Sequence, residues 1–296
     1  MDYLVLFLAV VCFTAQFAFT KLFEAAAGQS KAASLIMLAV TNAIGFLLFF
    51  ALGGFRLRFT PTATLLALAM GVIMIPYYML GIRVLSLGSL AVYSMFMMLG
   101  GMLVPFFYGL LFLGEPLTWG KGLGTVLLSG CIVLQALVPE DSRQTGSRGQ
   151  RRLFFLLCIL IFFINGLTGV IAKAHQISAA PIPETSFTAL SCGITGVLSL
   201  ALLLSEKGEK GELFRMTLKA KPLGIMTALG IAAYMGSFLH LVAAETVPAS
   251  VQFPLVSGGV IVLSALASAL IFREKVTRRE WLCVGGAFLA TFLYAF

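Results

Sequence analysis

Ten apolar stretches follow one another along the chain, each close to the length of a helix that crosses a bilayer. They fall at about residues 3–20, 33–53, 63–82, 88–112, 119–138, 153–172, 186–205, 223–243, 248–272 and 281–296. A bilayer core is crossed by ~20 helical residues. It offers no water to an unpaired amide, so a spanning segment has to satisfy its own backbone as a helix or close into a barrel. Barrel strands would show ~10-residue segments alternating apolar and polar, and no such alternation occurs. The expected fold is therefore all-α: a multi-pass protein of the inner or plasma membrane with ten transmembrane helices. Composition agrees, with 60% hydrophobic and 11% charged residues against roughly 25% charged in soluble domains. Ala25-Ala26-Ala27 looks like a signal-peptidase site, but the start Met1-Asp2 lacks a basic segment, so the first stretch reads as a membrane helix.

Charge punctuates these stretches in a repeated way. Gly88–Leu111 carries no charge, and then FLGEPLT at 112–118 brings in Glu115; IFREKVT at 271–277 brings in Glu274 after another long apolar run. The two segments lie 159 residues apart. The same gapless shift pairs Thr118 with Thr277, Gly71 with Gly230, Leu80 with Leu239, Val92 with Val251, Gly100 with Gly259 and Leu111 with Leu270. The polar segment PEDSRQTGSRGQRR at 139–152 separates the two sets of five stretches. The domain organisation expected is a five-helix repeat at 1–138, a linker at 139–152 and a second repeat at 153–296. With an odd number of spans per repeat, the second enters the membrane from the opposite side. Inverted repeats of this kind are an architecture of secondary transporters, which bind solute at the midplane between the halves.

The layout resembles the drug/metabolite transporter superfamily, EamA-like branch, over essentially the whole chain. The resemblance rests on five plus five spans and on the turns Leu113-Gly114-Glu115-Pro116-Leu117-Thr118 and Phe272-Arg273-Glu274-Lys275-Val276-Thr277, which introduce each fifth span. Lys21 and Lys173, closing spans one and six, add to it. Members often carry proline in the middle of spans four and nine. Here Gly100-Gly101 and Ser257-Gly258-Gly259 stand there, with Pro105 and Pro254 displaced. The resemblance implies transport of a small organic solute (an amino acid, metabolite or drug) by alternating access, with export as the family's usual direction. Gln16 stands where short multidrug proton antiporters carry glutamate, which disfavours carboxylate-based antiport.

Polar residues inside the spans are the candidate cavity residues, because an unpaired polar group in lipid is costly. They are Gln16, Asn42, Tyr77, Tyr78, Tyr93, Ser94, Asn165, Thr168, Tyr234, Ser237, His240, Gln252 and Ser257. The 159-residue shift pairs Tyr93 with Gln252 and Tyr78 with Ser237. Helix–helix hydrogen bonding is the competing role of each. His240 is the intramembrane group that could couple a proton. Gly100, Gly101, Gly258 and Gly259 read either as close helix contacts or as hinges. Glu115 and Glu274 read as helix-terminus caps or as gate latches. Lys21, Arg83 and Lys173 could meet an anionic solute or reach to headgroups.

Other classes find little support in these residues. No Asp or Glu lies mid-span, and no HExxH, GxSxG or P-loop pattern occurs, so neither a membrane-embedded enzyme nor a cofactor is expected. The five cysteines lack CxxC spacing, so no metal is expected either. A channel, usually a ring of several subunits, is the other alternative. Partners expected are a small-molecule solute and the lipid bilayer, with a second copy of the chain as a candidate. The net charge of +8 calls for no nucleic acid: sixteen of twenty Lys and Arg lie on the side of the odd-numbered loops. The positive-inside rule makes that side cytoplasmic and leaves both termini outside, opposite to the orientation the family resemblance implies.

Overall fold

A computed structural model of the protein describes residues 2–27, 30–114, 116–137, 148–205, 219–243, 247 and 249–293. Glu115, a candidate gate residue, and most of the 139–152 linker lie outside the described residues. The described residues form ten helices and no strands: α1 Asp2–Ala27, α2 Lys31–Leu52, α3 Pro61–Leu87, α4 Leu90–Phe112, α5 Trp119–Leu137, α6 Arg148–Gln176, α7 Glu184–Ser205, α8 Ala220–Ala243, α9 Ala249–Leu270 and α10 Arg278–Leu293. Seven of them, α1–α4 and α6–α8, are long and apolar enough to cross a membrane, and Leu255–Leu270 of α9 is a shorter apolar stretch. Large apolar side chains such as Leu47, Leu65, Val126, Val197 and Leu282 stand exposed. Such surface suits contact with lipid rather than water, and the architecture is consistent with a multi-pass membrane protein.

Short polar side chains set where the helices begin. Ser30 accepts a hydrogen bond from Ala33 N at 3.0 Å, and Ser89 accepts one from Val92 N at 3.3 Å, each satisfying an amide that the first helical turn leaves open. Thr60 does the same for Ala63 N, and Pro61 follows it at the first helical position, where a missing N–H costs nothing. Thr118 and Thr277 cap α5 and α10 identically, accepting from Lys121 N at 3.3 Å and from Glu280 N at 3.2 Å.

Three pairs of helix starts fall in the register of the 159-residue shift: Pro61 with Ala220, Leu90 with Ala249, and Trp119 with Arg278. The backbone before the last pair repeats too. Gly114 has φ +66° and Arg273, its shift partner, has φ +52°. Both chains leave their helix through the left-handed region, which glycine enters without strain and arginine does not. The register breaks further upstream: Lys31 and Glu184, which open α2 and α7, are 153 residues apart. The segment after α7 is six residues longer than the one after α2, which accounts for the difference.

Two compact units result, each drawing helices from both sides of the linker. The first contains Met1–Ala18, Leu87–Gly166 and Met235–Phe296. Within it α5 packs on α10, while α9 packs on both α10 and α4. The second contains Phe19–Ser86 and Leu167–Tyr234, with α2 lying along α7. Its core gathers Phe23, Leu35, Met37, Ile82, Met226 and Leu229, and a satellite cluster joins Ala63, Ala67, Ile171, Ile182 and Phe187.

Candidate functional site

A polar group in the second unit forms around Tyr234 of α8. Its ring lies against α2 at Gly45, where an added Cβ would stand 2.4 Å from Tyr234 Cζ; only a residue without a side chain permits that contact. Phe49 meets the same ring edge-on at 6.2 Å. The phenol donates to Asn42 Oδ1 at 2.8 Å, and Asn42 Nδ2 donates to Leu38 O at 2.9 Å. The Cys192 thiol of α7 lies near the same phenol. Tyr78 is close enough to interact electrostatically with both Cys192 and Tyr234, and Tyr77 crosses the Tyr78 ring at a centroid distance of 5.2 Å. Asn42, Tyr77 and Tyr78 are thus brought together here with Tyr234. Cys192 was not among the candidates, because nothing in the spacing of one cysteine signals a phenol across the helix interface.

The first unit holds most of the remaining candidates in smaller groups, while half-buried Thr168 and the basic residues Lys21, Arg83 and Lys173 belong to the second. Gln252, in the first turn of α9 and almost fully buried, donates through Nε2 to His240 O. That carbonyl belongs to the last turn of α8. The His240 ring is half-buried and meets Phe13 edge-on at 6.3 Å. Tyr93 packs edge-on against Phe17 at 5.8 Å. Ser94 is fully buried and donates to Ala91 O of its own helix at 3.1 Å. Gln16 and Ser237 are half-buried.

Asn165 and the mid-helix glycines mark the closest crossings. Asn165 Nδ2 donates to Met97 O at 2.6 Å. A Cβ on Gly101 would sit 2.7 Å from that same nitrogen. On Gly100 it would sit 2.1 Å from Phe162 O, and on Gly166 2.7 Å from Gly100 O, so α4 and α6 touch backbone to backbone. Gly258 faces Thr291 Oγ1 at 2.6 Å and Gly259 faces Val10 Cγ1 at 3.0 Å, measured in the same way.

Glu274 is placed differently from the helix-terminus cap expected of it. It precedes α10 by four residues and caps another helix: its Oε2 accepts from Leu90 N, the first amide of α4, at 3.1 Å, and from Ser268 Oγ. The cap of α10 is Thr277 with Glu280. Glu280 Oε2 accepts from Thr277 N at 2.6 Å, while Glu280 N donates to Thr277 Oγ1. That reciprocal pair is a capping box, and Thr277-Arg278-Arg279-Glu280 carries its sequence signature. Glu280, 2% exposed, also accepts from Ser89 Oγ at 3.1 Å. Both carboxylates therefore serve the start of α4.

A hollow of about 510 Å³ opens at the start of α3, lined by Phe59, Thr60, Pro61, Thr64, Leu65 and Leu68. It contains none of the candidate residues, and its walls are mostly apolar. No group of His, Cys, Asp and Glu that could hold a metal ion occurs among the described residues.

No family model matches the chain, and no curated protein matches it. A solved structure described only as "Crystal structure of protein" superposes with a TM-score of 0.65 at 17% identity, covering 99% of this chain and 95% of its own. At that identity the likeness shows a shared fold.

Proposed function

We propose that the chain is a secondary transporter of a small organic solute, built as two inverted five-helix repeats with ten spans and working by alternating access. What carries the reading is a reciprocity in the helix contacts. Gly71 of α3 abuts Ile194 and Thr195 of α7, while its shift partner Gly230 of α8 abuts Thr41 and Ile44 of α2. Thr41 and Ile194 are separated by the 153 residues that separate the starts of α2 and α7. Likewise Gly100 of α4 abuts Phe162 of α6, and Gly259 of α9 abuts Val10 of α1. Val10 and Phe162 are 152 residues apart, as are Lys21 and Lys173. Each repeat thus lays its helix on the other repeat's helix at the equivalent point, which a pseudo-twofold axis requires. The pairings α4 with α9, α5 with α10 and α2 with α7 join equivalents directly and fit the same axis.

Within this reading the Tyr234 cluster is the leading solute contact. It holds phenols, a carboxamide and a thiol without formal charge, which suits a solute bound by hydrogen bonds and aromatic contact. Purified protein in liposomes, offered a panel of amino acids, nucleosides and organic cations, is expected to give saturable flux of at least one class. Tyr234→Phe should raise the KM for it roughly three- to tenfold, the effect of one intramembrane hydrogen bond. Linear, non-saturating flux would identify a channel instead, and an absence of any flux would remove the proposal.

A further inference from the structure

The crossing of α5 and α10 places two cysteines from opposite sides of the 139–152 linker in contact. The Cys283 thiol donates to Cys131 O at 3.6 Å. Both side chains are buried, and both are reduced thiols. Gly286, one turn beyond Cys283, keeps the space open: a Cβ there would stand 2.9 Å from Cys131 Sγ. The sulfur of Cys131 therefore rests on the α10 backbone at Gly286, one turn from the residue whose thiol meets the Cys131 carbonyl.

We propose that Cys131 and Cys283 form an oxidation-sensitive pair that closes to a disulfide and staples α5 to α10. The oxidant is a lipid-soluble hydroperoxide, a class that reaches a buried thiol from the bilayer. One sulfur attacks the peroxide oxygen; the O–O bond breaks, an alcohol leaves, and a sulfenic acid forms. The second sulfur then displaces the hydroxyl, which departs as water with the remaining thiol proton, and the S–S bond forms. Two thiols are oxidised by two electrons and one hydroperoxide is reduced to alcohol and water. Closure turns the Cys283 side chain away from the Cys131 carbonyl, and the disulfide needs the two α-carbons roughly 4.4–6.8 Å apart. The staple joins the segments before and after the 139–152 linker, and its chemistry does not depend on transport.

The test uses the full chain in liposomes with Cys12, Cys158 and Cys192 changed to Ala and a protease site placed within residues 139–152. After treatment with tert-butyl hydroperoxide and cleavage, the two halves are expected to run as one band without reductant and as two bands with dithiothreitol. Cys283→Ala should abolish the joined band, and Gly286→Ala should slow its formation at least severalfold by crowding Cys131 Sγ. If the triple variant loses its monodisperse elution, the same oxidation of the unmodified chain is read by mass spectrometry of the linked peptides. Separate halves after oxidation of folded protein, a joined band surviving Cys283→Ala, or an unchanged rate in Gly286→Ala would each overturn the pairing.

Discussion

Replacing Gly100 by alanine tests the packing at its tightest point. The new methyl would fall 2.1 Å from Phe162 O, whereas ordinary contact begins at 3.4 Å; the shortfall is 3.4 − 2.1, about 1.3 Å. A backbone oxygen cannot rotate aside as a side chain can, so α4 and α6 have to part. Overpacking of this kind costs ~1–3 kcal/mol. The separation also stretches the bond from Asn165 Nδ2 to Met97 O, now 2.6 Å, beyond hydrogen-bonding range, for a further ~0.6–1.7 kcal/mol. Against this, alanine gains ~1 kcal/mol of helix propensity. The net expectation is a loss of about 2 kcal/mol, roughly a thirtyfold fall in the folded-to-unfolded ratio. Gly130 and Gly122 have nothing within 4 Å of a Cβ, so alanine there should be neutral or stabilising. Unfolding of the three variants in mixed micelles, titrated with denaturing detergent, gives the comparison. If Gly100→Ala proved as stable as Gly130→Ala, the backbone contact of α4 with α6 would be refuted.

Glu274→Ala strips a carboxylate from Leu90 N and Ser268 Oγ and should cost ~1–3 kcal/mol by leaving a helix-start amide unsatisfied. Glu274→Gln retains an acceptor and should recover most of that loss in the same detergent titration. A gate latch that works through charge would instead show a transport defect in Glu274→Gln with stability intact. Arg273→Gly relieves a left-handed residue at φ +52° and should stabilise by ~1 kcal/mol, read as a raised thermal midpoint; a lowered midpoint would mean the arginine side chain matters more than its backbone. A C-terminal phosphatase fusion should be active and a C-terminal fluorescent fusion dark if the sixteen clustered Lys and Arg set orientation, and the opposite pattern would favour the family's usual topology.

Helix positions were legible wherever an unbroken apolar run met a capping residue. Ser89, Thr118 and Thr277 open helices in the register that a gapless shift detects. The same shift fails for α2 and α7, because a connecting segment six residues longer moves Glu184 out of register with Lys31. Polar residues within spans were easy to see, yet their partners were not. Asn42 meets Tyr234 across 192 residues and Glu274 meets Leu90 across 184, and no local pattern encodes contacts at such range. Thr277-Arg278-Arg279-Glu280 was the opposite case, a local signature overshadowed by the more conspicuous glutamate at 274. The relation of Gly286 to Cys131 depends on how two helices cross and has no counterpart in spacing.

Hydroxyl and carboxamide side chains behave differently inside these helices. Thr41, Ser191, Ser199 and Thr227 each donate to a carbonyl one turn back on the same helix, a local bond that closes off their only proton; Thr195 divides its proton between Ser191 O at 2.8 Å and Gly71 O of α3 at 3.4 Å. Asn42, Asn165 and Gln252 each engage a group beyond their own turn, since a carboxamide carries more donors and acceptors than its own turn can occupy. Sequence scans that weigh every polar residue within a membrane span alike would therefore be sharpened by ranking amides above alcohols, because these three amides all reach beyond their own turn whereas the hydroxyls do so only in places, as Ser89 does toward Glu280.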